Sequence, residues 1–222
     1  MSEEKKAKLK DIFEWIYCFI IAIVLALIVR YYVGTPTIVN QTSMYPTFNN
    51  GDRLILNRLY RTFKTTPQRG EIITFEAPSV SYVNGEKADL ENPVAIYNNE
   101  SKGLVGSFIY NVVEAGKTSY IKRVIALPGE HIQIKDCKVY INGEELKEEY
   151  LPEGTITDSM ATNGIRGGEF LDIIVPEGTV YVMGDNREHS VDSRKLGCIP
   201  YNKIEGKIIF RFWPFNVWGK VK

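Results

Sequence analysis

A base is what this sequence offers most sparingly. Its two histidines, His131 and His189, leave a histidine-based triad few candidates. It has no HExxH pair, no Cys–His metal spacing and no phosphate-cradling glycine loop. Hydrolysis would therefore need a serine with some other base, and a lysine serves if it is neutral. At the reference pKa near 10.4, only about one lysine in a few thousand is unprotonated at pH 7. Complete burial in an apolar pocket lowers that pKa by as much as ~3–5. Such a base belongs inside an apolar β-strand. Lys122, in Tyr120-Ile121-Lys122-Arg123-Val124-Ile125-Ala126-Leu127, meets that description. Alternation sets it on one face with Val124 and Ala126, and Arg123 on the other. The matching hydroxyl is Ser43, in Thr42-Ser43-Met44-Tyr45-Pro46-Thr47, just ahead of a proline-containing turn. Alone, each is ordinary, since most strand lysines face solvent and many loop serines only form turns.

The elements that must position this pair begin with an apolar segment, 12–33. From 15 to 29 it carries no charge, and as a helix it spans roughly 33 Å, the thickness of a bilayer's hydrocarbon layer. Glu14 and Arg30 lie near its ends, within reach of headgroups. Arg30-Tyr31-Tyr32 follows the apolar run where a cleavable signal would have small residues, so the segment is read as an uncleaved anchor. Lys5, Lys6, Lys8 and Lys10 precede it, and only Arg30 lies between it and Arg53. Residues 1–11 are therefore expected in the cytoplasm and 34–222 outside the cell membrane, as a single-pass protein. With 222 residues the chain has room for the anchor and one core-bearing domain with a smaller lobe. Its 27 basic and 27 acidic residues cancel, which gives no general attraction for nucleic acid. Cys18, Cys137 and Cys198 do not read as a metal site or a disulfide framework, and free thiols are expected.

Beyond the anchor the pattern is β. Short apolar or alternating runs occur at 53–56, 71–76, 120–127, 131–135, 139–141, 179–183 and 207–213, with turn residues at Asn50-Gly51, Pro128-Gly129, Asn142-Gly143 and Gly184-Asp185. The fold class is mainly β, an N-terminal transmembrane helix followed by antiparallel sheets. Residues 77–119 break the rhythm as a variable insertion. Their apolar run at 104–113 is read as an ordinary packed strand or helical turn in preference to a membrane-touching flap. Residues 144–177 are expected to form a second, small β lobe. At 211–219, Phe212, Trp213, Phe215 and Trp218 are read mainly as core, with an interfacial role as the minority reading.

Four motifs in order are distinctive together. They are Ser43-Met44-Tyr45-Pro46-Thr47, then Gly51-Asp52-Arg53, then Tyr120 to Arg123 with Leu127-Pro128-Gly129-Glu130, then Gly184 to Arg194. Their content and order resemble the bacterial type I signal peptidases over nearly the whole chain; 77–119 and much of 144–177 match loosely. The resemblance implies a membrane-bound serine endopeptidase of that family's antiparallel β fold, which cuts signal peptides from exported preproteins after small residues. It implies Ser43 as nucleophile, Lys122 as general base and Ser190 as the hydroxyl that holds the lysine amine. It gives Asp192 and Arg194 a structural ion pair, and makes Asp185 and Arg123 further supports. Val39, Met44, Phe48, Tyr120 and Ile121 would line shallow pockets for alanine-like side chains. No metal or organic cofactor is implied; the partners are preproteins, membrane lipid and, functionally, the secretion translocase.

Three positions depart from that pattern. Gln41 stands where the family often has serine, threonine or glycine, and either its amide donates to the oxyanion or that donor is missing. Glu188 and His189 replace the more usual aspartate and asparagine. His189 is the rival base for Ser43, against the reading of a partly exposed loop residue. Two other functions compete. Self-cleaving domains of stress-response repressors share serine–lysine chemistry but lack an anchor. A tethered, non-catalytic β-domain that binds exported chains would have no need of Ser43, Lys122 and Ser190 together.

Overall fold

The computed structural model describes residues 3–81, 88–98, 103–114, 116–157 and 169–221. The chain begins with α1 (Glu3–Ile28), extended by one π-helical turn at Val29–Val33. Within it Lys10–Val33 is long and apolar enough to cross a membrane, and no residue of its apolar window is buried in the protein. An apolar helix with no protein around it finds a low-energy environment in lipid.

There is no linker after the helix. β1 (Gly34–Ile38) starts at the next residue and pairs with β2 (Arg53–Asn57). A single helical turn, α2 (Leu59–Thr62), leads to β3 (Ile72–Glu76). Next come α3 (Gly103–Phe108), β4 (Ser119–Ala126), β5 (His131–Lys135), β6 (Lys138–Ile141) and β7 (Glu144–Glu145). The chain ends with β8 (Asp172–Ile174), β9 (Thr179–Met183), α4 (Ser193–Leu196), β10 (Ile199–Pro200), β11 (Ile204–Trp213) and β12 (Gly219–Lys220).

Two antiparallel sheets result. The larger has eight strands in the order β1-β2-β11-β3-β4-β9-β10, with β12 added to β11; the smaller runs β7-β6-β5-β8. Every residue of β3 and β9 is buried, whereas β2 alternates, with Leu54 and Leu56 inward. This is the difference expected between strands covered on both faces and a strand covered on one. Three apolar clusters form the interior. One, with Ile132, Val139 and Phe170, seats the small sheet; one, with Ile73, Phe75 and Val182, fills the middle. The third, with Val39, Met44, Phe48, Leu54, Leu56 and Ile208, lies beneath the Ser43 turn.

The mainly β, antiparallel fold expected from sequence is what forms. The hairpin at Asn142-Gly143 closes with both residues at positive φ, 52° and 86°, the two-residue turn that suits twisted antiparallel strands. The small sheet draws on 131–145 and 172–174 rather than on 144–177 alone, and 158–168 lies outside the described residues. In the 77–119 stretch, 82–87, 99–102 and 115 also lie outside them. The run at 104–113 is helical, α3 plus a π-helical turn at Ile109–Val113, and much of it is exposed. The C-terminal aromatics do not enter the core. Trp213, Phe215 and Trp218 are exposed, with Trp213 and Phe215 edge to face and Arg53 over the Trp213 ring. Cys18, Cys137 and Cys198 are unpaired.

Candidate active site

The Ser43 turn is held from below by packing and from the sides by hydrogen bonds. Met44 and Phe48 are buried pegs in the third cluster. Val39 exchanges backbone bonds with Asp52 and Gly51 (2.9 and 2.8 Å), and Phe48 N–H reaches Met44 C=O (2.8 Å). Arg211 Nη1 donates both to Thr47 C=O (3.1 Å) and to Asp52 Oδ2 (2.9 Å), bracing the far side. The 184–190 loop grips the near side: Asn186 N–H donates to Ser43 C=O, and its side-chain amide to Thr42 C=O, both at 3.1 Å.

Lys122 arrives on β4, whose register with β3 pairs it with Ile73 at the centre of the sheet. It is 1% exposed, and Ser43 is 8% exposed. The Lys122 amine lies 2.8 Å from Ser43 Oγ and 3.0 Å from Ile121 C=O, with its nitrogen 5.3 Å from the Tyr120 ring centre. Burial drives its pKa down to about 8. The Asp192 charge opposes that shift, Arg194 adds to it, and Asp185 opposes it more weakly. Desolvation prevails because those carboxylates are already committed to arginines.

Asp192 and Arg194 form a fork, Nε to Oδ1 and Nη2 to Oδ2 both at 2.9 Å, and Gly184 N–H donates to Asp192 Oδ2 at 3.0 Å. Asp192 is fully buried, and burial would raise its pKa; Arg194 and these donors overcome that and hold it below the usual carboxylate value. Arg123 and Asp185 form a second fork (2.9 and 2.7 Å), and Arg123 Nη1 also donates to Gly70 C=O at 2.9 Å. Thr47 Oγ1 donates to Asp185 Oδ2 at 2.5 Å, which ties the Ser43 turn to that pair. Bidentate pairs of this kind fix geometry as well as charge.

Ser190 is buried beside this group, its hydroxyl close enough to Asp192 to help hold that carboxylate ionised, and among the described residues it makes no hydrogen bond to the Lys122 amine. Its position is enforced by Gly184. A Cβ at 184 would lie 2.3 Å from Ser190 Oγ and 2.4 Å from Ser43 C=O, so the loop closes on the serine only with glycine there. His189 is exposed in its loop, and Gln41 is exposed next to Ser43.

A cleft of about 510 Å³ opens from Ser43. β1 and Gln41 form one wall, 117–121 the other, and Leu56, Thr74 and Glu205 contribute from the strands between. Val39, Met44, Tyr120 and Ile121 line it; Phe48 lies behind Met44, packed in the cluster below. The edges of both walls are open. Val39 bonds toward β2, so alternation turns the backbone groups of Pro36, Ile38 and Asn40 outward. Pro36 has no N–H to lose there. Thr118 and Val124 bond toward β3, which leaves Ser119 and Ile121 facing away from it, before β9 begins to pair at Arg123.

Sequence reasoning passed over Thr47, Gly184 and Arg187 as supports. Arg187 is buried. It pairs with Glu148 and donates to Thr157 Oγ1 (2.5 Å) and Gly184 C=O (3.1 Å), so it fastens the small lobe to the loop behind Ser190. The only signal for it was its place in the Gly184–Arg194 motif. Among the described residues, no three His, Cys, Asp or Glu side chains converge to hold a metal ion.

The sequence profile of the family described as signal peptidase, peptidase S26, matches residues 12–213. The chain belongs to that family. The peptidase is similar to signal peptidase I of Bacillus licheniformis, 35% identical over 218 residues and 97% of each chain. It is 32% identical over 231 residues to signal peptidase I T of Bacillus subtilis (strain 168), covering all of both chains. A probable signal peptidase I-1 of Synechocystis is 34% identical over 90% of this chain and 82% of its own. The peptidase is thus a hydrolase, a serine endopeptidase, and with its apolar N-terminal helix it is membrane-anchored.

Proposed function

We propose that this peptidase removes signal peptides from exported preproteins by serine–lysine chemistry at Ser43 and Lys122. The observation that carries the reading is the 2.8 Å approach of a fully buried lysine amine, with its pKa near 8, to the Ser43 hydroxyl. At pH 7 about one such amine in ten is neutral, against roughly one in three thousand for an ordinary lysine. The neutral amine takes the Ser43 proton as Oγ attacks the carbonyl carbon at the end of the signal peptide. The Ser43 backbone N–H donates to the oxyanion, with the Gln41 amide as the candidate second donor. Protonated Lys122 then delivers its proton to the departing amine, the N-terminus of the mature protein. Water attacks the remaining ester, with Lys122 again as base, and frees the signal peptide.

The substrate enters as an extended strand between the outward groups of β1 and those of Ser119 and Ile121. Val39, Met44, Tyr120 and Ile121 leave space beside Ser43 for small side chains, which selects A-x-A sites. The short cytoplasmic segment rich in lysine puts the N-terminus inside and the cleft outside, where chains emerge from the translocase. Ser43→Ala and Lys122→Ala should each abolish cleavage of a preprotein bearing an A-x-A site while the protein remains folded. Residual cleavage by Lys122→Ala at the wild-type rate would reject the assignment of the base.

A further inference from the structure

Beside the cleft lies a helical stretch with an apolar side that no described part of the protein covers. α3 and the π-helical turn that follows run through 103–113 without interruption. Val105, Phe108, Ile109 and Val113 are exposed, Val105 to 73%. Spacings of three, four and eight residues from Val105 put them on one face of a helix. The opposite side faces the protein, where the Tyr110 hydroxyl donates to buried Glu76 at 2.9 Å.

What this face meets follows from how its end is tethered. Glu114, the next residue, accepts from Arg58 Nη2 at 2.5 Å and from Arg30 Nη2 at 3.2 Å. Arg30 belongs to the last turn of the membrane-spanning helix, and Arg58 Nη1 also donates to its carbonyl oxygen at 3.3 Å. Nearby, Arg61 Nη2 bonds Tyr31 C=O (2.7 Å) and Thr62 Oγ1 bonds Tyr32 C=O (2.9 Å). Those bonds, and the immediate start of β1, remove any hinge between anchor and body. The C-terminal end of 103–113 is therefore tied at the level of Arg30–Tyr32, the outer end of the membrane-spanning helix. Arginine and tyrosine at that level suit a membrane–water boundary.

We propose that helix 103–113 lies in the outer headgroup layer with Val105, Phe108, Ile109 and Val113 in lipid, a second membrane contact that holds the cleft at constant depth. The proposal rests on the reading of α1 as the membrane anchor. The test uses the full chain, labelled in detergent with an environment-sensitive fluorophore and reconstituted into phosphatidylethanolamine–phosphatidylglycerol vesicles containing spin-labelled lipids. One protein carries Val105→Cys with Cys18→Ser and Cys137→Ser; a second keeps Cys18 with Cys137→Ser; a third keeps Cys137 with Cys18→Ser. Ile109→Cys repeats the first at another position on the same face, and cleavage of a soluble signal-peptide substrate reports that each protein is folded. The probes at 105 and 109 should be quenched from a depth of roughly 5–10 Å, as for an interfacial helix. The Cys18 probe should be quenched from deep in the bilayer, and the Cys137 probe not at all. A quenched Cys18 probe with unquenched 105 and 109 probes overturns the proposal and leaves the anchor standing. An unquenched Cys18 probe overturns both. Blue-shifted emission at 105 without lipid quenching means that protein, such as a second copy, covers the face, and also overturns it.

Discussion

Exchanging Lys122 for methionine should stabilise the peptidase at neutral pH while it abolishes cleavage. Burial takes the lysine pKa from 10.5 to about 8. Below pH 8 the folded protein therefore keeps a proton in a site that opposes the charge, at a cost of about 3 kcal/mol, using ~1.4 kcal/mol per pH unit. Between pH 8 and 10.5 the unfolded chain binds more protons than the folded one. Wild-type stability thus rises with pH through that window, and the cost is gone above it. Methionine has a similar length and no charge to desolvate. The lost hydrogen bonds to Ser43 and Ile121 offset about 1 kcal/mol. The net gain at pH 7 is about 2 kcal/mol, or roughly 4–8 °C in Tm for a chain of this size. Above pH 10.5 the sign should reverse. Thermal unfolding of the detergent-solubilised full chain from pH 6 to 11, with Ser43→Ala as the inactive control, measures it. A difference that does not change with pH, or a less stable methionine variant at pH 7, would refute the reasoning.

Two more substitutions probe the loop behind the serine. Gly184→Ala forces a Cβ against Ser190 Oγ and the Ser43 carbonyl oxygen; cleavage of a synthetic signal peptide should fall by about a hundredfold, and near wild-type turnover would mean the loop yields freely. Ser190→Ala removes a buried hydroxyl that makes no hydrogen bond of good geometry among the described residues and only assists the Asp192 carboxylate that Arg194 already holds, so Tm should change by no more than the equivalent of about 1 kcal/mol. A larger drop in Tm would show that the hydroxyl is firmly bonded in the resting enzyme.

Much of this arrangement is legible locally. Alternation in 53–56 and 139–141, and the Asn142-Gly143 turn, mark strands because the pleat imposes a period of two wherever one face is buried. Lys122 stands out because a charge in an apolar strand is costly unless it is used. What stayed hidden depends on contacts between distant segments. Thr47 looks like any turn threonine until Asp185, 138 residues on, comes within 2.5 Å. Arg187 gains its role only when the small lobe brings Glu148 and Thr157 to it. β1 is absent from the apolar and alternating runs because it carries Pro36, and it is tolerated as a strand because its other edge is left open. The 104–113 run looked like ordinary packing because its composition does not say that one side would lack a partner.

The central claim is that a neutral Lys122 draws the proton from Ser43. Its most direct test is the pH dependence of single-turnover cleavage of one signal-peptide substrate by the full chain in detergent. The rate should rise with pH through a single inflection near 8, set by the buried amine, and should vanish at every pH in Lys122→Met. An inflection near an imidazole's ordinary ~6.5, or cleavage that persists in Lys122→Met, would contradict it.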